Sequence, residues 1–152
     1  MSVKVAINGF GRIGRNILRA SVENNRKDIE VVAINDLGSS EMNLHLLKYD
    51  SVHSRFPLDL SLTKNYLKVN NTEIEITAEK DPAKLPWSEV DVALECTGIF
   101  TDKEKASLHL NNGSKKVLIS APASNVDRTV VFGVNHTSLT STDVIVSNAS
   151  CT

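Results

Sequence analysis

The stretch "KVAINGFGRIGRNIL", residues 4–18, decides the fold, because it places three glycines between an apolar run and a helical pattern. The apolar run "VKVAIN" (Val3 to Asn8) predicts a buried strand. After the glycines, apolar residues recur at helical spacing: Ile13, Ile17, Leu18 and Val22. The sequence therefore predicts a strand, a glycine-rich turn and a helix in direct succession.

Gly9, Gly11 and Gly14 form the pattern G-x-G-x-x-G on this turn. The first glycine permits the tight turn, the second lets backbone approach a pyrophosphate, and the third lets helix and strand pack closely. Asp36 follows a second apolar run, "IEVVAIN" (Ile29 to Asn35), where the ribose-binding acid of a dinucleotide fold is expected. A carboxylate there accepts hydrogen bonds from ribose and repels a 2'-phosphate, which favours NAD over NADP. The alternative is a turn without function, with Asp36 as a cap.

The remaining patterns alternate between strands and helices. A short helix is predicted from Glu41 to Tyr49, and "YLKVNNTEIEIT" predicts an antiparallel hairpin around Asn70 and Asn71. "VDVALEC" (Val90 to Cys96) reads as a buried strand, and "DKEKASLHLNNG" as one helix that Gly113 ends. Three further runs are typical of strands: "KKVLIS", "RTVVFGV" and "DVIVS". Apolar strands separated by helices indicate an α/β fold with a doubly wound, mostly parallel sheet.

Composition excludes several classes of protein. The 152 residues include 17 basic and 18 acidic side chains, so no strong field favours nucleic acid or an anionic membrane. No apolar run reaches the length of a membrane span, and the start lacks a basic leader, so a cytoplasmic location is expected. The two cysteines form no CxxC pair and the four histidines lack ligand spacing, so no metal site is predicted.

The end of the chain, "VIVSNASCT", suggests covalent chemistry. Cys151 follows a predicted buried strand, and ligands of open α/β sheets gather beyond the carboxyl ends of strands. A helix beginning at Ser150 would favour the reactive thiolate of Cys151, whereas the alternative is an inert small residue at a strand end. Cys96 lies in an apolar run and is expected to be buried and unreactive.

Eight segments together resemble the amino-terminal half of phosphorylating glyceraldehyde-3-phosphate dehydrogenases. The segments are "INGFGRIGR", "INDL", "LLKYDSVH", "AEKDPAKLPW", "ECTGIFTDKEKASLHL", "KKVLISAPA", "VVFGVNH" and "VSNASCT". The resemblance spans the chain and implies a Rossmann-type domain over residues 1–152 that binds NAD. The catalytic domain that follows in family members is absent from this chain. Ser54 departs from the family, which commonly has glycine there, so the conformation of that loop is open.

The resemblance also implies roles for individual residues. The glycine loop, with Phe10, would hold the cofactor, and Arg12 and Ile13 would contact the pyrophosphate. Lys80 and the backbone of Thr97 and Gly98 would lie near the adenosine. Phe100 would flank the adenine, and Ser120 would approach the nicotinamide. Cys151 matches the catalytic thiol, and Ser150 and Thr152 match residues that hold phosphate.

In the family, such a thiolate attacks an aldehyde, hydride passes to NAD, and inorganic phosphate cleaves the thioester. The histidine that activates the thiol lies downstream of "SCT" in the family, so this chain is expected to bind NAD without turnover. The substrates implied are a phosphorylated aldehyde and phosphate, and the intact enzyme is expected to be a homo-oligomer. Two alternatives stay open: a non-catalytic NAD-binding module, and the related erythrose-4-phosphate dehydrogenase.

Overall fold

Two parallel strands, β1 (Val3–Asn8) and β2 (Ile29–Asn35), lie at the centre of the sheet and have the predicted bounds. The computed structural model describes residues 1–150. The apolar side chains of β1 alternate between two layers, because Val5 and Ile7 pack into one buried cluster while Ala6 packs into another. Both faces of the central sheet are therefore covered, as the apolar runs predict.

The described elements follow one another in a largely alternating order. In chain order they are β1, α1 (Arg12–Glu23), β2, α2 (Ser40–Lys48), β3 (Tyr49–Asp50), β4 (Ser54–Arg55), β5 (Leu60–Leu62), β6 (Tyr66–Val69), β7 (Thr72–Thr77), β8 (Val92–Glu95), α3 (Lys103–Ala106), α4 (Leu108–Asn111), β9 (Lys116–Ile119), β10 (Arg128–Thr129) and β11 (Ile145–Ser147). Short 3-10 turns lie at Pro82–Lys84 and His136–Ser138.

The sheet has nine strands in the order β10-β11-β9-β8-β1-β2-β7-β6-β5. All neighbouring pairs are parallel except β5 with β6 and β6 with β7. β2 lies on one side of β1 and β8 lies on the other, so the sheet is extended in opposite directions from β1. This change of direction creates a crevice at the carboxyl end of β1. The doubly wound, mostly parallel fold with an inserted antiparallel hairpin is confirmed.

The hairpin forms as predicted, with β6 and β7 joined at Asn70 and Asn71. Asn70 has φ 51°, a left-handed conformation that asparagine tolerates. The structure adds β5, which the sequence analysis missed, as the outer partner of β6. Its three residues are too few for alternation to be recognised.

The prediction of a single helix in "DKEKASLHLNNG" is wrong. The segment forms two four-residue helices, α3 and α4, which meet at Ser107. The hydroxyl of Ser107 donates to the carbonyl of Glu104 at 2.5 Å, a local bond that competes with helical pairing. Gly113, with φ 101°, follows the second helix as predicted.

All four strands predicted after the hairpin are shorter than their apolar runs, and "KKVLIS" and "DVIVS" each lose two residues. Only Arg128–Thr129 of "RTVVFGV" is strand, because Val131 N–H donates to Asn135 Oδ1 and closes the following residues into a turn. The strand predicted from Val90 to Cys96 covers Val92–Glu95. Cys96 lies just beyond that strand and is only partly buried, which corrects its assignment to the strand interior.

Ser54 adopts a left-handed conformation, with φ 64°. Its carbonyl accepts a hydrogen bond from the buried guanidinium of Arg19 at 3.0 Å, and the side chain of Asp50 holds the preceding turn through Val52 N–H and His53 N–H. These bonds impose on a serine a backbone conformation that favours glycine.

We expect Ser54→Gly to raise the free energy of unfolding by about 0.5 to 1 kcal/mol, since relief of the Cβ strain exceeds the added freedom of the unfolded chain. Urea unfolding measures the change. Ser61→Gly is the matched control, because Ser61 is equally exposed but lies in β5, and this substitution should lower stability. Destabilisation by Ser54→Gly would contradict the strain assigned to this position.

Candidate functional site

A cavity of about 500 Å³ lies at the carboxyl ends of β1, β2 and β8, where the sheet changes winding direction. This is the position at which open α/β sheets bind ligands. The residues lining it are Asn8, Gly9, Gly11, Asn35, Asp36, Leu37, Glu79, Lys80, Cys96, Thr97, Ile99 and Phe100. The volume lies within the range of small-molecule and cofactor sites.

The three glycines of the loop have distinct geometries. Gly9 has φ 92°, and a Cβ atom built on it would lie 2.8 Å from the backbone nitrogen of Thr97. A Cβ on Gly14 would lie 2.2 Å from the carbonyl oxygen of Gly9, a distance that no side chain permits. Around Gly11, no atom lies within 4 Å of such a Cβ. Gly9 and Gly14 thus allow close packing, whereas Gly11 borders open space.

The N-terminus of α1 adjoins this open space. Gly11 is the N-cap residue, and no side chain caps the helix. The first-turn N–H groups and the helix dipole together favour an anion at such a position. The geometry therefore fits the phosphate groups of a dinucleotide.

Asp36 connects the glycine loop to the end of β2. Its Oδ2 accepts from Phe10 N–H at 2.8 Å, and its Oδ1 accepts from Gly38 N–H at 2.8 Å and from Asn43 Nδ2 at 3.2 Å. A carboxylate has about four acceptor positions, so these three bonds leave capacity for a further donor from the cavity. The prediction that this donor is a ribose hydroxyl fits the arrangement.

Several predicted cofactor residues lie at the loop without lining the cavity. The Phe10 ring is only 2% exposed and packs in the core, so its backbone alone belongs to the site. The guanidinium of Arg12 is paired with the carboxylate of Asp50. Ile13 is exposed on the first turn of α1. The backbone N–H groups of His53 and Val52, together with Arg12, hold the pKa of Asp50 well below its usual range.

Two segments form opposite walls of the cavity. Glu79 and Lys80 follow β7 on one side, and Thr97 follows β8 on the other. Leu37 and Ile99 are exposed apolar side chains at the cavity, 61% and 67% accessible, beside the partly buried Phe100. Gly98, with φ 74°, connects Thr97 to this apolar group. Apolar surface of this kind fits a flat aromatic base.

Cys96 borders the cavity, although it was predicted to be a buried packing residue. Burial raises the pKa of the Cys96 thiol to about 11, while a hydrogen bond from Ser120 acts in the opposite direction. The thiol is therefore protonated near neutral pH. Ser120 is half-buried behind Cys96, and its predicted approach to the nicotinamide stays a prediction.

The predicted nucleophile and its neighbour, Cys151 and Thr152, lie outside the described residues. The approach to them is described: Ser147 donates its hydroxyl to the carbonyl of Ala121 at 2.6 Å and accepts from Ala149 N–H at 3.0 Å. Ala149 has φ 66°, a left-handed conformation. Ser150 is exposed and makes at least one polar or electrostatic contact.

The sequence analysis missed several cavity residues, above all Asn8 and Asn35. One signal was available, because the tetrapeptide VAIN ends both β1 and β2, at residues 5–8 and 32–35. A polar residue at the end of two buried parallel strands indicates a shared polar edge. Arg15 does not line the cavity but supports the glycine loop, which the sequence did not predict. Its guanidinium donates to the carbonyl of Phe10 at 2.7 Å, and burial lowers the pKa of Arg15 from its usual value.

Within residues 1–150, no group of three His, Cys, Asp or Glu side chains is arranged to hold a metal ion. In the same part of the chain, no helix has the length and apolar character needed to cross a bilayer.

The fold and the cavity together define a dinucleotide-binding domain of the Rossmann type. Residues 3–103 match the family described as glyceraldehyde 3-phosphate dehydrogenase, NAD binding domain, and the chain belongs to this family. The resemblance found in the sequence is thereby confirmed, and the family supports a nicotinamide dinucleotide as cofactor.

Several curated proteins that are similar to this chain are named glyceraldehyde-3-phosphate dehydrogenase. The glyceraldehyde-3-phosphate dehydrogenase of Cereibacter sphaeroides is 61% identical over 152 residues, and that of Xanthobacter flavus is 60% identical over 154 residues. Each match covers 100% of this chain and 46% of the relative. The enzyme of Thermotoga maritima is 54% identical over 98% of this chain and 45% of its own length. The chain thus spans a little under half the length of these relatives.

We expect Asp36→Ala to weaken NAD binding by about 1.5 to 3 kcal/mol and to reduce discrimination against NADP, because hydrogen bonds to a charged acceptor are lost. Calorimetric titration with both dinucleotides measures the effect. Asp28→Ala is the control, since Asp28 pairs with Arg26 on the exposed surface just before β2, at the opposite end of that strand. Unchanged affinity for both dinucleotides would remove Asp36 from the site.

We expect iodoacetamide near neutral pH to label Cys151 before Cys96. Labelling of Cys96 should rise about tenfold per pH unit as the pH increases toward the raised pKa, since only the thiolate reacts. Peptide mass spectrometry distinguishes the two cysteines. In urea, where burial is lost, Cys96 should react as an ordinary thiol. Preferential labelling of Cys96 in the folded chain would contradict both assignments.

Proposed function

We propose that this chain is the NAD-binding portion of an enzyme that oxidises and phosphorylates glyceraldehyde 3-phosphate. The observation that carries the proposal is the cavity at the switch of the sheet, with Gly11 and an uncapped helix N-terminus on one side and Asp36 on another. The names of the relatives support the phosphorylated aldehyde as substrate, and they favour glyceraldehyde 3-phosphate over erythrose 4-phosphate.

The residues of the chain fit the parts of NAD in order along the cavity. The first turn of α1 would receive the pyrophosphate, and Asp36 would accept from the adenosine ribose. Thr97, Ile99 and Phe100 would enclose the adenine opposite Lys80. Bound NAD supplies the hydride acceptor of the reaction, and the protein's part is to orient it and exclude water from it.

Preference for NAD over NADP follows from Asp36. Three hydrogen bonds fix its carboxylate beside the expected ribose, so it cannot turn away from a 2'-phosphate. Two anions held together in this way repel each other, and a like-charge contact at an interface weakens binding strongly.

The covalent step is assigned to Cys151, with Ser150 and Thr152 holding inorganic phosphate or the phosphate of the substrate. The chain approaches this segment through Ser147 and the left-handed Ala149, which set the backbone direction after β11. The homo-oligomer, which the resemblance implies, and the cytoplasmic location, which was expected from the sequence itself, both stay predictions.

A second candidate function is an NAD-binding module without catalysis of its own. Within residues 1–150, no histidine lines the dinucleotide cavity, and His109 is fully buried. A histidine acting as general base at the site would therefore come from residues outside this part of the chain.

We expect a chain of these 152 residues to bind NAD about tenfold or more tightly than NADP and to form no measurable NADH. Loss of a general base alone lowers a rate by about 10² to 10⁴. Calorimetry measures binding, and absorbance measures NADH formation from glyceraldehyde 3-phosphate and phosphate. Addition of the downstream half of a relative, fused or as a separate chain, should restore activity.

Cys151→Ser in the completed protein is the control and should abolish that activity. Robust turnover by the 152 residues alone, lost in Cys151→Ser, would mean that one of the four histidines supplies the base. Failure to bind either dinucleotide would overturn the proposed function itself.

A further inference from the structure

A row of polar side chains runs beneath the cavity, across four neighbouring strands. Thr77, Asn35, Asn8 and Glu95 are the last residues of β7, β2, β1 and β8, which are adjacent in the sheet. They also face one another in register, since Thr77 pairs with Asn35, Asn35 with Asn8, and Asn8 with Glu95. We refer to these four residues as the strand-end ladder.

Hydrogen bonds join each member of the strand-end ladder to the next. Thr77 Oγ1 donates to Asn35 Oδ1 at 2.8 Å, and Asn35 Nδ2 donates to Asn8 Oδ1 at 2.8 Å. Asn8 Nδ2 then donates to Glu95 Oε2 at 2.7 Å. Asn8, Asn35 and Glu95 are each at most 3% exposed, so the two bonds that join these three residues are shielded from water.

Glu95 accepts four hydrogen bonds. Its Oε2 accepts from Asn8 Nδ2 and from His109 Nε2, each at 2.7 Å. Its Oε1 accepts twice from Thr97, from the backbone N–H at 3.0 Å and from the side-chain hydroxyl. An ionised carboxylate has about four acceptor positions and no donor. Only the ionised form of Glu95 satisfies all four donors.

The donor role of His109 toward Glu95 is assigned from the other neighbour of its ring. Asn112 Oδ1 accepts from the N–H and the hydroxyl of Ser114, so Asn112 Nδ2 faces His109 Nδ1 at 3.3 Å. Nδ1 is then the acceptor and Nε2 carries the hydrogen donated to Glu95. The carboxyl group of Glu95, which is 1% exposed, thus accepts hydrogen bonds from Asn8, His109 and Thr97.

Two members of the strand-end ladder, Asn35 and Glu95, each hold a wall of the cavity. Asn35 binds the backbone of Glu79 twice, through Nδ2 to the carbonyl and through Oδ1 from the N–H, each at 2.8 Å. This fixes the segment that carries Lys80. On the other side, Glu95 fixes the backbone of Thr97. One continuous chain of hydrogen bonds, buried between Asn35 and Glu95, therefore connects the two walls.

We propose that Glu95 is a positioning residue for the dinucleotide, acting through Thr97 on one wall and through Asn8 and Asn35 on the other. Glu95 does not line the cavity and makes no contact of its own with the cofactor space. Its carboxylate aligns donors on both sides, so the walls are preorganised before the adenosine part enters. This inference rests on the proposed binding of NAD.

The substitution Glu95→Gln tests the acceptor requirement at nearly constant volume. Glutamine offers one acceptor oxygen and one NH₂ group, so two of the four donors then face an amide nitrogen. Either the Thr97 side or the Asn8 side of the strand-end ladder is released. We expect the dissociation constant for NAD to rise about tenfold, as for loss of hydrogen bonds to a charged group.

A purely structural role would lower stability without changing the affinity of the folded chain. Calorimetry is therefore done at a temperature where near-ultraviolet circular dichroism shows the variant folded. The amide resonances of Thr97 and Glu79 supply a second readout, and both should shift in Glu95→Gln because the bonds continue across the sheet. The control Glu73→Gln makes the same change at an exposed residue of the hairpin, paired with Lys68, and should alter neither.

If Glu95→Gln does not fold, His109→Phe removes one donor to Glu95 and keeps a ring against Trp87, on which His109 stacks with centroids 5.4 Å apart. We expect NAD binding about threefold to fivefold weaker, and partial recovery in His109→Gln, which restores a donor. Unchanged NAD affinity in a folded Glu95→Gln, or in His109→Phe, overturns the inference. Failure of the unmodified chain to bind NAD would instead overturn the proposed function.

Discussion

The close approach of Gly14 to the carbonyl of Gly9 is the constraint on which the rest of the site depends. A side chain at position 14 would come within 2.2 Å of that oxygen, so only glycine lets α1 start directly against the end of β1. The helix then begins at the crevice where the sheet changes direction, with its uncapped first turn beside the cavity. Gly9 fixes the same loop from the other side through its contact with the backbone at Thr97.

Positive charge at the glycine loop comes from the backbone more than from side chains. Arg12 is paired with Asp50, and one terminal nitrogen of Arg15 donates to the carbonyl of Phe10. Their bonds hold the glycine loop in shape. What faces the open space at Gly11 is the first turn of α1, whose orientation is fixed by the fold and needs no reorganisation on binding.

The sequence was sufficient for the centre of the fold and insufficient at its margins. β1 and β2 have the predicted bounds because long β-branched runs with flanking turn residues admit one interpretation. The helix predicted after Asp102 is broken, because a hydroxyl bond at Ser107 decides its course locally. "RTVVFGV" is apolar throughout, yet a side-chain bond from Asn135 turns it out of the sheet after two residues. Such bonds depend on the position of neighbours that no pattern reveals.

Some residues of the site could likewise be placed from the sequence, and others could not. Glycine spacing and Asp36 could be predicted because their positions along the chain are tied to one supersecondary unit. The partners of Glu95 could not, since Asn8, Thr97 and His109 converge on it from separate segments of the chain.

A buried carboxylate without a cationic partner is unfavourable unless every acceptor position is filled. Glu95 meets that condition, but only when the ends of β1 and β8 and the helix bearing His109 are all in register. The full set of hydrogen bonds to Glu95 and the alignment of the cavity walls therefore require each other, and a loosened wall would leave acceptor positions of a buried carboxyl group unfilled. Disorder at either wall would therefore carry the energetic penalty of buried polar groups without partners, and that penalty arises from the ends of the strands themselves.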